Sequence, residues 1–461
     1  MRLFFKACFA YLAVFLCALN ANELEYSLIK KGVDDNNTLL VIGGIQGDEP
    51  GGFLAANLLA NEYKIIKGSL WVVPNLNFNS IINNNRGLNG DMNRKFEKID
   101  KKDPDFKTVT DIKRVISDAN VSLIVHLHDG SGFYRPTFIN ELENPRRWGN
   151  SCIIDQDVLK GAAYGDLLAN ATRVANTVNK NIKINKHLYH VKNTHTAEKG
   201  GDKSMLKSLT YFAITKGKAA YANEASKSLK EHTRVFYHLL ALEEYMRIAG
   251  IEFKRDFKLS ENSVKKILEK EKYVNLNNDK FFLSLAQPRA RINYVPMQKD
   301  TKLDYNSTDA LLAIVENAKA RGNFDVYYGN KLLTKLKPQY FEYSNTFSSV
   351  PVQIDDKDEI VTFGTKVRAD KSILIKAQDN VRVNVIGYEN KSKTETDIKI
   401  HKSDIIRSFS IDKNGKIFRV EFYEQQNGKK DKYLGMFLVE FSFLDSLKAP
   451  LVAGLDDDIS Y

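Results

Sequence analysis

Residues 38–59 read TLLVIGGIQGDEPGGFLAANLL. Leu39, Leu40, Val41 and Ile42 make a short apolar run closed by Gly43 and Gly44, the pattern of a buried strand. From Pro50 the spacing turns helical: Phe53, Leu54, Leu58 and Leu59 share one face, and the proline is pre-set for a first helical turn. Strand, polar loop, helix is the unit from which open α/β sheets are built, and such sheets place ligands in the crevice beyond the carboxyl ends of their strands. The loop here is Gln46-Gly47-Asp48-Glu49, so Gln46 and Glu49, three residues apart, form the first candidate pair.

Outward from this stretch, residues 22–250 keep alternating. Strand patterns fall at 39–42, 69–73, 123–127 and 187–191, and helical patterns at 51–60, 108–118, 158–179 and 226–248. That predicts an α/β domain over 22–250, with a mostly parallel mixed sheet and helices on both faces. After Gly250 the texture changes. Residues 251–345 carry a charged helical piece at 261–272 and strand-like pieces at 280–285 and 325–328, a smaller β-rich middle domain. From Pro351, β-rich runs at 360–363, 372–377, 381–388, 397–400, 408–411, 417–422 and 434–443 are separated by polar turns such as Asp412-Lys413-Asn414-Gly415. Short strands at this spacing predict a β-sandwich over 346–461.

Composition sets the class. A chain of 461 residues exceeds what one core supports, and its 43% hydrophobic and 27% charged content is that of a folded globular protein. Arg2 and Lys6, the apolar run 7–19 and the small residues Ala18 and Ala21 read as an export signal over 1–21, which places the mature chain in the periplasm. The run falls short of the ~20 residues a membrane span needs, so no stable span is expected. Cys8 and Cys17 leave with the signal; the remaining Cys152 has no internal partner, and stability rests on core burial. The net charge of +11 falls to +9 without Arg2 and Lys6, which suits an acidic small substrate or an anionic polymer. No basic and aromatic alternation marks a nucleic-acid module.

The stretch 121–130, VSLIVHLHDG, places His126 and His128 on one side of a strand, with His128 at the end that reaches the crevice. His128 is the better ligand candidate, and His126 a core or supporting residue. Gln46, Glu49 and His128 offer two oxygen donors and one imidazole nitrogen, and leave a fourth tetrahedral position for water, as a catalytic zinc site requires. A glutamine amide is as neutral as imidazole, so a bound water is still acidified, with looser metal binding than a second histidine gives. In 83–96, NNNRGLNGDMNRKF, Arg86 and the pair Asn93-Arg94 sit in a Gly- and Asn-rich loop suited to hold guanidinium groups against a carboxylate or a carbonyl. In 219–226, AAYANEAS, Glu224 is placed to exchange protons with a water; taken alone, it reads equally as a carboxylate at a helix start. Trp148, after Arg146 and Arg147, is a candidate pocket wall or a packed indole on a surface turn.

The order of these pieces resembles the zinc-carboxypeptidase family: a ligand pair three apart after a strand, then Arg, Asn-Arg, a strand-end His, and a Glu near the end of the domain. The match runs over 38–250, and Gln46 stands where most of that family has histidine. With the export signal and the added β-rich domains, this glutamine makes the chain similar to the helical-cell-shape peptidoglycan carboxypeptidases. The resemblance implies one Zn2+ per chain held by Gln46, Glu49 and His128, with Glu224 as general base and acid. It implies Asn93 and Arg94 on the substrate carboxylate, and Arg86 on the carbonyl oxygen as it becomes an oxyanion. The implied reaction trims tripeptide stems, as in muramyl tripeptide, to dipeptides with release of meso-diaminopimelate. Outside that resemblance, the β-rich domains are candidates to bind glycan or other cell-shape proteins, or to buttress the catalytic domain. A tyrosine that closes over the substrate is implied too, with Tyr189, Tyr211 and Tyr221 as candidates. Two other readings stand beside this one. One is a catalytically silent wall-binding scaffold in which Gln46 marks a decayed site, and the other a metallohydrolase for a different peptide or an amide.

Overall fold

The computed structural model describes residues 24–33, 36–307, 309–389 and 394–442. The export signal read at 1–21 lies outside these residues, as does Phe443. The chain forms two compact units, one of residues up to 272 together with 304–337, the other of 273–303 together with the residues from 338 onward.

The first unit is built on a seven-stranded sheet of β1 (Ile29–Gly32), β2 (Thr38–Ile42), β3 (Ser69–Val73), β4 (Val121–Gly130), β5 (Ser151–Ile154), β6 (His190–Asn193) and β7 (Ala219–Ser226), in the order β1-β3-β2-β4-β7-β5-β6. β2 is parallel to β3 and β4, and β7 is parallel to β4, while β1 and β5 run against their neighbours β3 and β7. The sheet is mixed and mostly parallel at its centre. Every residue of β2 is buried, because helices cover both faces. Leu39 and Val41 pack in the core that includes α1 (Pro50–Glu62), α3 (Leu167–Asn179) and α4 (Glu231–Ile248). Leu40 and Ile42 face the opposite core, with Val109, Ile112 and Ile116 of α2 (Phe106–Ile116).

α1 is buried from Pro50 through Ala60, more than the single apolar face its spacing predicts. The second face is covered by residues of the same unit from 304–337: Tyr328 accepts a hydrogen bond from Asn57 at 3.1 Å, and Leu311, Ala313 and Tyr327 join the α1 core.

Four predicted elements are corrected. The helix expected over 158–179 begins only at Leu167. The strand expected at 187–191 is a 3-10 turn, Asn185–His187, followed by β6. The helix expected from Ser226 begins at Glu231, since 219–226 is a fully buried strand. The run 408–411 contains no strand; Arg407–Phe409 is a 3-10 turn.

In the second unit two four-stranded sheets face each other. One orders Lys357–Thr362, Ser349–Ile354, Ser372–Ile375 and Lys399–His401; the other orders Lys366–Ala369, Lys432–Phe441, Ile417–Glu424 and Val381–Val385. Val352, Ile373 and Ile400 from the first meet Phe418, Phe422 and Phe437 from the second in one core, which makes the C-terminal part a β-sandwich. No helix among the described residues is long and apolar enough to cross a membrane.

Candidate active site

The strand ends of β2, β4 and β7 open into a cleft of about 220 Å³. Its geometry starts at Gly47. A Cβ there would lie 2.1 Å from the backbone of Ser80, so only glycine lets the loop pass and set Gln46 on one side and Glu49 on the other. A Cβ on Gly52 would lie 2.7 Å from the carbonyl oxygen of Leu127, so glycine also lets α1 start directly against β4. Glu49 precedes α1 without capping it; the cap comes from across the cleft, where the Asp129 carboxylate at the end of β4 accepts from Gly51 N–H at 2.7 Å. Asp129 also pairs with Arg234 of α4, and His238 Nε2 lies 3.5 Å from its other oxygen. The docking that forms the helix start therefore brings Glu49 against His128.

His128 Nδ1 lies 2.9 Å from Glu49 Oε2, and its Nε2 lies 2.6 Å from Nδ1 of His126, whose Nε2 is 2.7 Å from Thr210 Oγ1. Each imidazole in this row has one proton to give. In the arrangement where His128 Nε2–H donates to His126 and His126 Nε2–H donates to Thr210, His128 Nδ1 keeps a free lone pair beside Glu49. Gln46 is fixed by Asp91, whose Oδ1 accepts from Gln46 Nε2 at 2.8 Å. A carboxylate only accepts, so the amide nitrogen must face it, and Gln46 Oε1 is left buried with no hydrogen-bond partner.

An orphaned amide oxygen, a carboxylate and an imidazole nitrogen in one cleft fit the donor chemistry of a catalytic divalent metal with a position left for water. Among the described residues no three His, Cys, Asp or Glu side chains gather as a metal-binding group; a site here would take its third donor from the amide. Without a cation the electrostatics run toward neutrality. Burial pushes the Glu49 carboxyl up to about 8, against the pull of Lys227 and Arg86, and burial with Arg86 drives His128 down to about 3. A divalent cation reverses the Glu49 preference and keeps that of His128, since it favours carboxylate and neutral imidazole together.

Asp91 does more than orient Gln46. Its Oδ1 also caps the turn Met92–Arg94 by accepting from Asn93 N–H at 2.9 Å, and its Oδ2 accepts from Arg86 Nε and Nη2 at 3.2 and 3.0 Å. Arg86 Nη1 donates to Glu49 Oε1 at 3.1 Å. Asn93 Oδ1 accepts from Leu209 N–H at 3.0 Å, and Lys95, held by Asp103 and Asp105 at 2.7 and 2.8 Å, ties down the end of the loop. Arg94 extends into the cleft beside Asn93.

Glu224 sits in β7, not at the start of a helix. The parallel register pairs it with His128, so strand pairing delivers the base candidate to the ligand candidate. Its Oε2 has no hydrogen-bond partner, and burial, then the carboxylates of Glu49 and Asp129, push its carboxyl well above the usual range. Trp148 lines the same cleft, with Lys192 Nζ 4.6 Å from its ring centroid. Arg146 and Arg147 are not in the lining; Arg147 braces its own loop by donating to Glu141 O at 2.7 Å. None of the three tyrosines lines the cleft: Tyr189 and Tyr221 are core residues, and Tyr211 lies on the short helix Leu209–Thr215.

The structure thus gathers Gln46, Glu49, Arg86, Asn93, Arg94 and His128 with Trp148 and Glu224. Sequence reasoning passes over Asp91, Thr210 and Lys227. Asp91 carries a signal, an Asp two residues before Asn93 in a polar loop, the spacing of a side-chain turn cap. Thr210 carries none.

A family model described as "Carboxypeptidase controlling helical cell shape catalytic" matches residues 2–269, and one described as "C-terminal domain of metallo-carboxypeptidase" matches 343–442. The chain is similar to the apo structure of the cell shape determinant protein Csd4 from Helicobacter pylori, at 41% identity over 91% of this chain and 100% of that one, with a TM-score of 0.81. A tripeptide-bound structure of the same protein matches at 40% identity, with the same coverage and a TM-score of 0.81. An mDAP-bound form of Csd4, described as a D,L-carboxypeptidase, matches at 41% over 90% of this chain and 100% of that one, again at 0.81. No curated protein matches the chain.

Proposed function

The chain belongs to the family of metallo-carboxypeptidases that control helical cell shape, and from that premise we propose a zinc-dependent D,L-carboxypeptidase of the periplasm. Its substrate is the tripeptide stem of uncrosslinked peptidoglycan, as in muramyl tripeptide. Its products are the dipeptide stem and free meso-diaminopimelate, and the trimming sets helical cell shape. Tripeptide and mDAP complexes of the similar Csd4 support that substrate, and the export signal read at 1–21 supports the compartment.

Gln46, Glu49 and His128 are the residues that would hold zinc. When bound, zinc supplies Lewis acidity that brings the pKa of a water toward 7 and polarises a carbonyl. The chain's own residues do the rest. Asn93 and Arg94 grip the terminal carboxylate, a planar fork against a planar anion. Arg86, tethered by Asp91 on one edge, presents its remaining N–H groups to the scissile carbonyl oxygen as charge builds there. Glu224 takes a proton from the attacking water and passes it to the leaving amine, so the C–N bond breaks with a neutral leaving group. Trp148 walls the cleft. Asp91 fixes the Gln46 amide and Arg86 with a single carboxylate.

The observation that carries this reading is the unpartnered Glu224 Oε2 in one cleft with the orphaned Gln46 Oε1, Glu49 and His128. Elemental analysis of zinc-loaded, desalted protein is expected to give one zinc per chain, lost in Glu49→Ala. No retained zinc in the wild-type protein would favour the silent scaffold.

A further inference from the structure

Two cations of the cleft, Arg86 and Arg94, have roles in the proposed reaction; Lys227 has none. It follows β7 by one residue, and its backbone N–H donates to Gly130 O at 2.8 Å, so the strand pair that sets Glu224 beside His128 also fixes Lys227. Its Nζ donates to Asp48 Oδ2 at 2.6 Å and stands 4.0 Å from Glu49 Oε1. An ammonium has three donors, and one is placed. The side chain is 34% exposed, too wet for the Asp48 pair to add much stability, and it lines the cleft. A pairing of small structural worth at the mouth of a catalytic cleft leaves donors for a ligand.

Position says which part of the ligand. Asn93 is bonded to Leu209, and Phe96 N–H to Lys207 O, so the carboxylate-gripping end of the cleft is built with segment 203–209. Lys227 stands instead against Asp48, on the loop that carries Gln46 and Glu49, and against Gly130 at the end of β4. A peptide whose terminal carboxylate lies at Asn93 and Arg94, and whose scissile carbonyl lies at the metal-binding side chains, continues on its acyl side toward Lys227. In a peptidoglycan stem the acyl-side residue is a glutamate joined through its γ-carboxyl, which leaves its α-carboxylate free and charged. The geometry points to Lys227 as the residue that recognises this α-carboxylate, and so selects γ-linked acidic stems over ordinary peptides. The inference rests on the proposed function and adds its acyl-side specificity.

The test uses zinc-loaded Glu224→Gln protein, which binds without turnover, and calorimetry with two peptides. One is L-Ala-γ-D-Glu-meso-diaminopimelate; the other is its twin with the glutamate α-carboxyl amidated. The charged peptide is expected to bind about tenfold tighter, the scale of one charge-assisted hydrogen bond. Adding Lys227→Gln is expected to weaken the charged peptide alone and bring the two within about twofold, and Lys227→Arg to restore most of the preference. Equal weakening of both peptides, or no preference in the parent protein, overturns the assignment and leaves Lys227 as a brace for Asp48. If neither peptide binds the zinc-loaded parent, the proposed substrate itself falls, and the assignment with it.

Discussion

Two buried glutamates, one in each unit, show what separates a packed charge from a working one. Glu421 in the β-sandwich has its charge answered inside the fold: Oε1, which makes no hydrogen bond, is ion-paired at 3.2 Å with Arg419 Nη1, and Oε2 accepts from Tyr423 OH at 2.6 Å. Glu224 in the α/β unit is buried to a similar degree, at 9% exposed against 3%. Yet its unbonded Oε2 has no ion pair among the described residues like the one Arg419 gives Glu421, and Glu49 and Asp129 raise its carboxyl further. Burial alone therefore does not mark a site. A carboxylate left unanswered in a cleft costs stability, and the fold retains it where a ligand or a proton is to arrive.

The comparison breaks if the two substitutions act alike. Glu421→Ala strips one partner from a buried pair and is expected to destabilise the sandwich by roughly 3–5 kcal/mol, read from the denaturant midpoint by circular dichroism. Tryptophan fluorescence isolates the other unit, since Trp71 and Trp148 both lie there. Glu224→Ala is expected to reverse the pattern: folding and zinc content kept, turnover down at least about a hundredfold. Near-normal turnover by that variant contradicts its role.

Smaller effects sharpen the contrast. Saturating zinc at a hundred times its Kd is expected to stabilise the protein by about 2.7 kcal/mol, seen in the tryptophan transition and removed by a chelator. Asp91→Ala frees the Gln46 amide and is expected to weaken zinc binding about 10–100-fold in a competition titration. Tyr423→Phe removes one hydrogen bond from the sandwich pair and is expected to cost only about 1 kcal/mol, with turnover unchanged.

How much of this the sequence discloses depends on how local each signal is. β2, its loop and α1 are legible because an apolar run, two glycines and a proline sit in series, and Gln46 and Glu49 follow from them. β7 is hidden. AAYANEAS has almost no β-branched or bulky side chains, so its propensity is not that of a strand, yet it pairs with both β4 and β5 at the centre of the sheet. Glu224 is found as a candidate and put in the wrong element for that reason. The second cover of α1 is hidden because residues 304–337 reach it from more than two hundred positions away, a distance no periodicity encodes. Lys227 reads as one surface lysine among many until strand register fixes it at the cleft.

The most direct test of the central claim is the release of meso-diaminopimelate from purified muramyl tripeptide, followed by mass spectrometry with and without a chelator. Release of that one residue by the zinc-loaded protein, stopped by the chelator and restored by added zinc, is the predicted result. No release from a protein that demonstrably holds one zinc per chain would contradict the account and direct attention to a different peptide substrate.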